Sequence, residues 1–201
     1  MLSVAPIIET TNELLAQLER KEWYQTAIER MGESRLREWL AVRVLLKKML
    51  GEEKEIAYTA FGKPYLADGS YHISISHTKG FVAVVVDKEH PVAVDIERIA
   101  PRVENVCSRF LNEMEESRLS KDNRLIHLLL HWSAKETLFK QMDENDVELK
   151  THLHIHPFEP ALNQWATFNA HETRSAVQQS FTISYLVTDS YVLTVIAPNA
   201  P

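Results

Sequence analysis

The sequence predicts an α+β fold, and three observations carry that reading. Helix-spaced apolar residues dominate 11–50, β-branched runs follow over 71–97, and the same order of helices then strands returns over 102–197. Helices that precede strands in blocks, rather than alternate with them one by one, favour segregated layers over a parallel βαβ sheet. The recurrence of that order points to two lobes, 1–98 and 99–201, with no fixed-period repeat and no low-complexity linker.

Taken in order, residues 11–31 and 33–50 are expected to be helical. The second segment carries Leu36, Trp39, Leu40, Val44 and Leu45 at helical spacing and stops at Gly51. The period then changes. YHISIS (71–76), FVAVVVD (81–87) and PVAVDIE (91–97) read as strands separated by short turns. Residues 102–119 are expected to be helical in pieces, and 121–142 as one strong helix. The remaining segments, VELKTHLHIH (147–156), QWATFNA (164–170), FTISYLV (181–187) and YVLTVIA (191–197), read as strands.

Composition narrows the function. With 201 residues, 45% of them hydrophobic and 25% charged, the chain can bury a sizeable core without staples. A net charge of −6 leaves no global basic footprint, so neither nucleic acid nor an anionic membrane is expected as a partner. An anionic ligand would need a local basic patch. Cys107 is the only cysteine, which excludes an internal disulfide and fits a reducing cytoplasm. The opening MLSVAPIIETTNELL has neither a basic n-region nor an apolar h-region, so no signal peptide is expected. Apolar runs such as FVAVVV (81–86) are too short to span a bilayer. The five glycines form neither G-x-G-x-x-G nor a P-loop, so a nucleotide would be held some other way.

The chemistry-bearing residues cluster in two segments. Asp95 and Glu97, at i and i+2, share one face of a strand. Glu136 and Lys140, at i and i+4, share one face of a helix, with Lys135 a further cation beside Glu136. Paired carboxylates repel unless a cation is present, and VAV before Asp95 implies a half-buried strand. Three carboxylates and a lysine suit Mg²⁺ facing a phosphate: hard oxygens hold the metal while the lysine offsets anionic charge.

Other candidates have plainer readings beside the functional ones. His77, after Ser76 at a strand end, offers an N–H to a phosphate or is a surface histidine. Gly62-Lys63-Pro64 is a turn by composition. Arg43 and Lys47 lie one helical turn apart, where like charges either share an anion or form an ordinary basic face. His152, His154 and His156 alternate as in a polar strand face, a reading preferred to a transition-metal site. His127 and His131 lack the carboxylate of H-E-x-x-H, and Cys107 has no activating motif.

GKP (62–64), SISH (74–77), VAVDIE (92–97) and WSAKETLFK (132–140) together resemble the 4′-phosphopantetheinyl transferase superfamily, in its larger single-chain class, the type that activates surfactin synthetase. The resemblance covers about residues 35–140, and its last two motifs are the specific ones. The family pattern is W-x-x-K-E-[Ala or Ser]-x-x-K. This chain keeps Trp132, Lys135, Glu136 and Lys140 but has Thr137 at the small position, where a methyl is expected to perturb packing slightly without touching a ligand.

The resemblance implies two similar α+β lobes related by a pseudo-twofold axis, each a small antiparallel sheet with a packed helix, and coenzyme A in the cleft between them. It implies that Asp95, Glu97 and Glu136 hold Mg²⁺ and that Lys140 contacts the phosphates. Ser76 and His77 would also contact phosphate, and Gly62, Lys63 and Pro64 would border the adenine. Arg43 and Lys47 match the basic helix that helps hold the 3′-phosphate, with Arg37 as an alternative, and Arg20, Lys21 and Arg30 are candidates nearer the N-terminus. The implied reaction moves the phosphopantetheine arm to a serine of an apo acyl or peptidyl carrier protein and releases 3′,5′-ADP. Catalysis would fall to Glu136, as candidate base, with Lys140 and Asp95, in a monomer. The competing readings are a non-catalytic module that binds coenzyme A or a carrier, and an unrelated Mg²⁺ phosphohydrolase.

Overall fold

The first element is a strand, β1 (Leu2–Pro6), where the sequence pattern predicts none. The structure, a computed structural model, describes residues 1–142, 144, 146–198 and 200. After β1 come α1 (Thr11–Ala16), a 3₁₀ turn at Lys21–Trp23 and α2 (Gln25–Arg30), in place of the single helix expected over 11–31. Thr10 and Glu13 form a capping box that starts α1. The interruption has a tertiary cause. Lys47 Nζ donates to the Gln17 carbonyl at 2.9 Å, and the Glu53 carboxylate accepts the Glu19 and Arg20 amides, so backbone groups freed by the break are satisfied from outside.

Helix α3 (Glu33–Leu50) has the expected bounds and ends at Gly51, whose φ of 78° is the left-handed cap that glycine adopts without strain. It buries Leu36, Leu40, Val44 and Leu45, each contributing about 1.5–3 kcal/mol of apolar burial. Strands β2 (Ile56–Tyr58) and β3 (Pro64–Leu66) form a two-stranded ribbon around the Gly62 turn. β4 (His72–Thr78) and β5 (Phe81–Asp87) join β1 in an antiparallel sheet of order β1-β5-β4. The central position of β5 explains its unbroken apolar run: Val82, Val84 and Val86 enter the core that holds α3.

The chain divides into compact units between Val92 and Ala93, not after residue 98. The reason is a long-range pairing. β6 (Ala93–Arg98) lies antiparallel to a strand from the end of the chain, β10 (Tyr191–Ile196), and so belongs to the second unit. Before β10 come a 3₁₀ segment at Pro101–Arg109, α4 (Glu113–Ser117), α5 (Arg124–Gln141), α6 (Leu149–His152), β7 (Leu153–Ile155), β8 (Trp165–Glu172) and β9 (Ser180–Val187). These strands form an antiparallel sheet of order β6-β10-β9-β8-β7. α5 packs on β10 and β6, with Leu128, Leu130, Ala134 and Leu138 fully buried. Each unit is thus a mixed helix and antiparallel-sheet structure.

The strand expected over 147–156 shrinks to β7, because Leu149–His152 closes a helical turn in which the His152 amide donates to the Glu148 carbonyl. His152 therefore does not share a strand face with His154 and His156. His154 stacks on His171, ring centroids 4.8 Å apart, and His156 Nε2 lies 2.9 Å from His171 Nδ1. His127 and His131 are buried against Phe158. Burial pushes the His131 imidazole down to about 3. Among the described residues no helix is long and apolar enough to cross a membrane.

Candidate active site

Strand periodicity and helix periodicity meet where α5 lies on β6. Alternation sends Val94 and Ile96 to one face of β6 and Asp95 and Glu97 to the other. On α5 the i, i+4 stripe is Trp132, Glu136 and Lys140. The two sets join at both ends. Trp132 Nε1 donates to Glu97 Oε1 at 2.7 Å, and Lys140 Nζ donates to Asp95 Oδ1 at 2.7 Å and to the Val94 carbonyl at 3.1 Å. Asp95 is only 4% exposed. Glu136, between the two anchors along the stripe, feels the negative charge of Asp95 and the positive charge of Lys140.

The electrostatics follow from this crowding. Burial, then the Asp95 charge, with Glu136 adding to them, pushes the Glu97 carboxyl up to about 7 against the Trp132 hydrogen bond and Lys140. Burial and Asp95 likewise raise Glu136, opposed by Lys140. A carboxyl raised from 4.5 to about 7 is protonated in the fold at pH values where the unfolded chain has released that proton. Its contribution to stability is therefore fully present below about 4.5 and lost as pH rises through about 7. Glu97→Gln is expected to remove that loss. In chelator-containing buffer it should gain stability over wild type on the order of 1–2 kcal/mol at pH 8, a figure reduced for solvent screening, and little at pH 4.5. Denaturant titrations at the two pH values measure this, and parallel wild-type and variant curves would refute it.

Among the described residues no group of three His, Cys, Asp or Glu side chains forms a ready-made metal site. Lys140 instead supplies the positive charge at Asp95. The donor set nevertheless fits Mg²⁺: all its ligand atoms are hard carboxylate oxygens, and two of the three carboxyls are raised by burial and then by the neighbouring Asp95 charge, both of which a divalent cation would offset. A depression of about 290 Å³ lined by His156, Asn169, Ala170, Ser180, Phe181 and Thr182 contains none of these carboxylates.

Lys135 does not join Glu136. Consecutive helical residues point about 100° apart, and Lys135 is fully buried, donating to Glu115 Oε2 at 2.7 Å and the Phe110 carbonyl at 2.6 Å. The Thr137 hydroxyl also has a definite role, bonding to Thr194 at 2.7 Å inside the core. No local pattern in YVLTVIA singles out Thr194, because its importance depends on which helix covers it.

The remaining candidates all lie in the first unit. Arg43 is buried, its guanidinium carbon 3.0 Å from the Trp39 ring centroid, and it donates to the Trp39 carbonyl at 2.9 Å. Desolvation pushes it down to about 10. Lys47 pairs with Glu19 at 2.9 Å and Glu53 at 3.3 Å. The two cations thus have separate partners rather than one shared anion. Gly62, Lys63 and Pro64 shape the β2–β3 turn, where Gly62 takes a φ of 81° and the Thr59 amide donates to the Lys63 carbonyl at 2.9 Å. Ser76 is buried on β4, and the exposed His77 lies 3.4 Å from Glu38 of α3.

Residues 91–196 match the model of the 4′-phosphopantetheinyl transferase superfamily. The chain belongs to that superfamily. The span matched to 4′-phosphopantetheinyl transferases contains Asp95, Glu97, Trp132, Lys135, Glu136 and Lys140, but not the first-unit candidates. A 4′-phosphopantetheinyl transferase from Bacillus subtilis is 31% identical over 107 residues, 47% of each chain. The 4′-phosphopantetheinyl transferase AcpT from Salmonella typhi is 30% identical over 109 residues, 51% of this chain and 57% of its own. The 4′-phosphopantetheinyl transferase Sfp from Bacillus subtilis (strain 168) is 33% identical over 85 residues, 40% and 38%. The chain spans about half the length of the curated relatives it matches.

Proposed function

We propose that this chain transfers the 4′-phosphopantetheine arm of coenzyme A to a serine hydroxyl of an apo acyl or peptidyl carrier protein, with Mg²⁺, releasing 3′,5′-ADP. The observation that carries this reading is the coincidence of the family match with the buried Asp95 and the half-buried Glu97, Glu136 and Lys140 around it. Asp95, Glu97 and Glu136 would hold Mg²⁺, which when bound acts as a Lewis acid that offsets charge on the pyrophosphate. Lys140, now bonded to Asp95, would exchange that bond for one to a phosphate oxygen, stabilising the leaving group. Glu136 is the candidate base for the serine proton, directly or through water. Burial and Asp95 raise its pKa in the metal-free fold, whereas bound Mg²⁺ would make it a weaker base, so the base role ranks behind metal binding.

By family resemblance, Arg43, Lys47, Gly62, Lys63, Pro64, Ser76 and His77 bind coenzyme A, and the two units have the family's pseudo-twofold relation. Lys47 would then exchange Glu19 and Glu53 for the 3′-phosphate. The same reading makes the protein a cytoplasmic monomer.

The test is to incubate the protein with coenzyme A, Mg²⁺ and a panel of apo carriers and to weigh the carriers intact. The expected result is a gain of one phosphopantetheine arm, abolished by chelation. Coenzyme A binding without a mass gain on any carrier would favour a binding module, and phosphate release from small substrates without a carrier would favour a hydrolase.

A further inference from the structure

Three hydroxyls occupy a contact that burial alone would make apolar. α5 packs on β10, and both contribute fully buried aliphatic side chains, among them Leu130, Leu138, Val192 and Val195. Ser133, Thr137 and Thr194 are nonetheless 0% exposed in the same region. Thr194 Oγ1 lies 2.8 Å from Ser133 Oγ and 2.7 Å from Thr137 Oγ1, and Thr137 Oγ1 also donates to the Thr194 carbonyl at 3.4 Å. Ser133 and Thr137 are one helical turn apart, so both reach the same residue.

This triad adds direction to the packing. Apolar contact is non-directional and tolerates a helix sliding or turning on a sheet, whereas a hydrogen bond weakens steeply when stretched or bent. Two members of the triad adjoin the acidic site. Thr137 follows Glu136 in the chain, and Thr194 is the ladder partner of Asp95. A shift of α5 along β10 would move Glu136 and Lys140 relative to Asp95 and Glu97.

We infer that Ser133, Thr137 and Thr194 are positioning residues: their hydrogen bonds fix α5 on β10 and thereby set the separation of Glu136 from the β6 carboxylates. The inference rests on the Mg²⁺ reading given above. Partners that orient metal ligands typically contribute about 10–100-fold to metal affinity or activity.

The test measures Mn²⁺ binding to the full chain with coenzyme A by electron paramagnetic resonance, beside a thermal melt. Thr137→Val/Thr194→Val keeps shape and removes the bonds. It should melt near wild type yet bind Mn²⁺ about 10–100-fold more weakly, while Thr194→Ser, which keeps the hydroxyl, stays close to wild type. A well-folded double variant with wild-type Mn²⁺ affinity overturns the inference. If the double variant does not fold, Thr137→Ala, which retains the Ser133–Thr194 bond and adds no bulk, replaces it. A weakened affinity then supports the positioning role and an unchanged one overturns it. Wild-type protein that binds no Mn²⁺ defeats the metal reading itself and the inference with it, a failure seen in the wild-type arm alone.

Discussion

Asp95→Asn is expected to cut transfer of the phosphopantetheine arm by about 10³-fold while leaving the protein folded. Losing a residue that merely orients a ligand costs about 10–100-fold. Asp95 would be a ligand itself and is the group on which Lys140 rests, at 2.7 Å. The stability effect is small because two changes oppose each other. Glu97 and Glu136 are raised first by burial and then by Asp95, so neutralising Asp95 relieves part of that strain, but it weakens the pairing of Lys140. Lys140 is 27% exposed and keeps the Val94 carbonyl, so water compensates part of that loss. The net change should stay within about 1 kcal/mol. Initial rates by intact carrier mass at saturating coenzyme A and Mg²⁺, beside a thermal melt, measure both. Full activity in this variant, or in Asp95→Ala, would end the metal assignment.

Two same-face pairs near Asp95 are legible in the sequence because local periodicity decides them, whereas their meeting across β6 and α5 is a long-range contact. A strand period places Asp95 and Glu97 together, a helix period places Glu136 and Lys140 together, and neither depends on distant residues. FVAVVVD likewise forms β5 over its whole length, and α3 runs over the expected 33–50. What local pattern could not show is what long-range partners decide. β6 belongs with β10, from the far end of the chain, so its sequence position misplaces the division between units. The helix expected over 11–31 breaks because Lys47 and Glu53 satisfy its backbone groups. β1 is a short edge strand closed by Pro6 and half-buried along most of its length, which gives neither strict alternation nor a long apolar run. Arg43 and Lys47 share a helix face, but only the fold shows that one is sequestered on Trp39 and the other paired with two carboxylates.

Lys135→Met is expected to destabilise the protein by about 3–5 kcal/mol, a large share of the about 5–15 kcal/mol that holds a folded domain. The size follows from burial. Lys135 and Glu115 side chains are 0% and 4% exposed, and their 2.7 Å contact is the cation's link between α5 and α4. Glu115 also accepts the Ile155 amide at 2.9 Å and the Asn112 amide at 3.1 Å, so it stays fixed in place when the ammonium is removed. An uncompensated carboxylate would then remain in the core. The Lys54–Asp68 pair has the same 2.7 Å separation but lies at the solvent boundary, so its loss should cost far less, because water replaces the partner. Lys135→Met/Glu115→Gln should recover part of the deficit, since the amide oxygen can still accept from Ile155 without a buried charge. Denaturant unfolding of the single and double variants measures the coupling, and a single variant as stable as wild type would show that the pair is not held as ions. Lys135 sits beside Glu136 in the family pattern, so its loss can imitate a catalytic defect. Transfer per folded molecule, measured at a temperature where Lys135→Met remains native, should stay near wild type, in contrast to Asp95→Asn, whose deficit persists in fully folded protein.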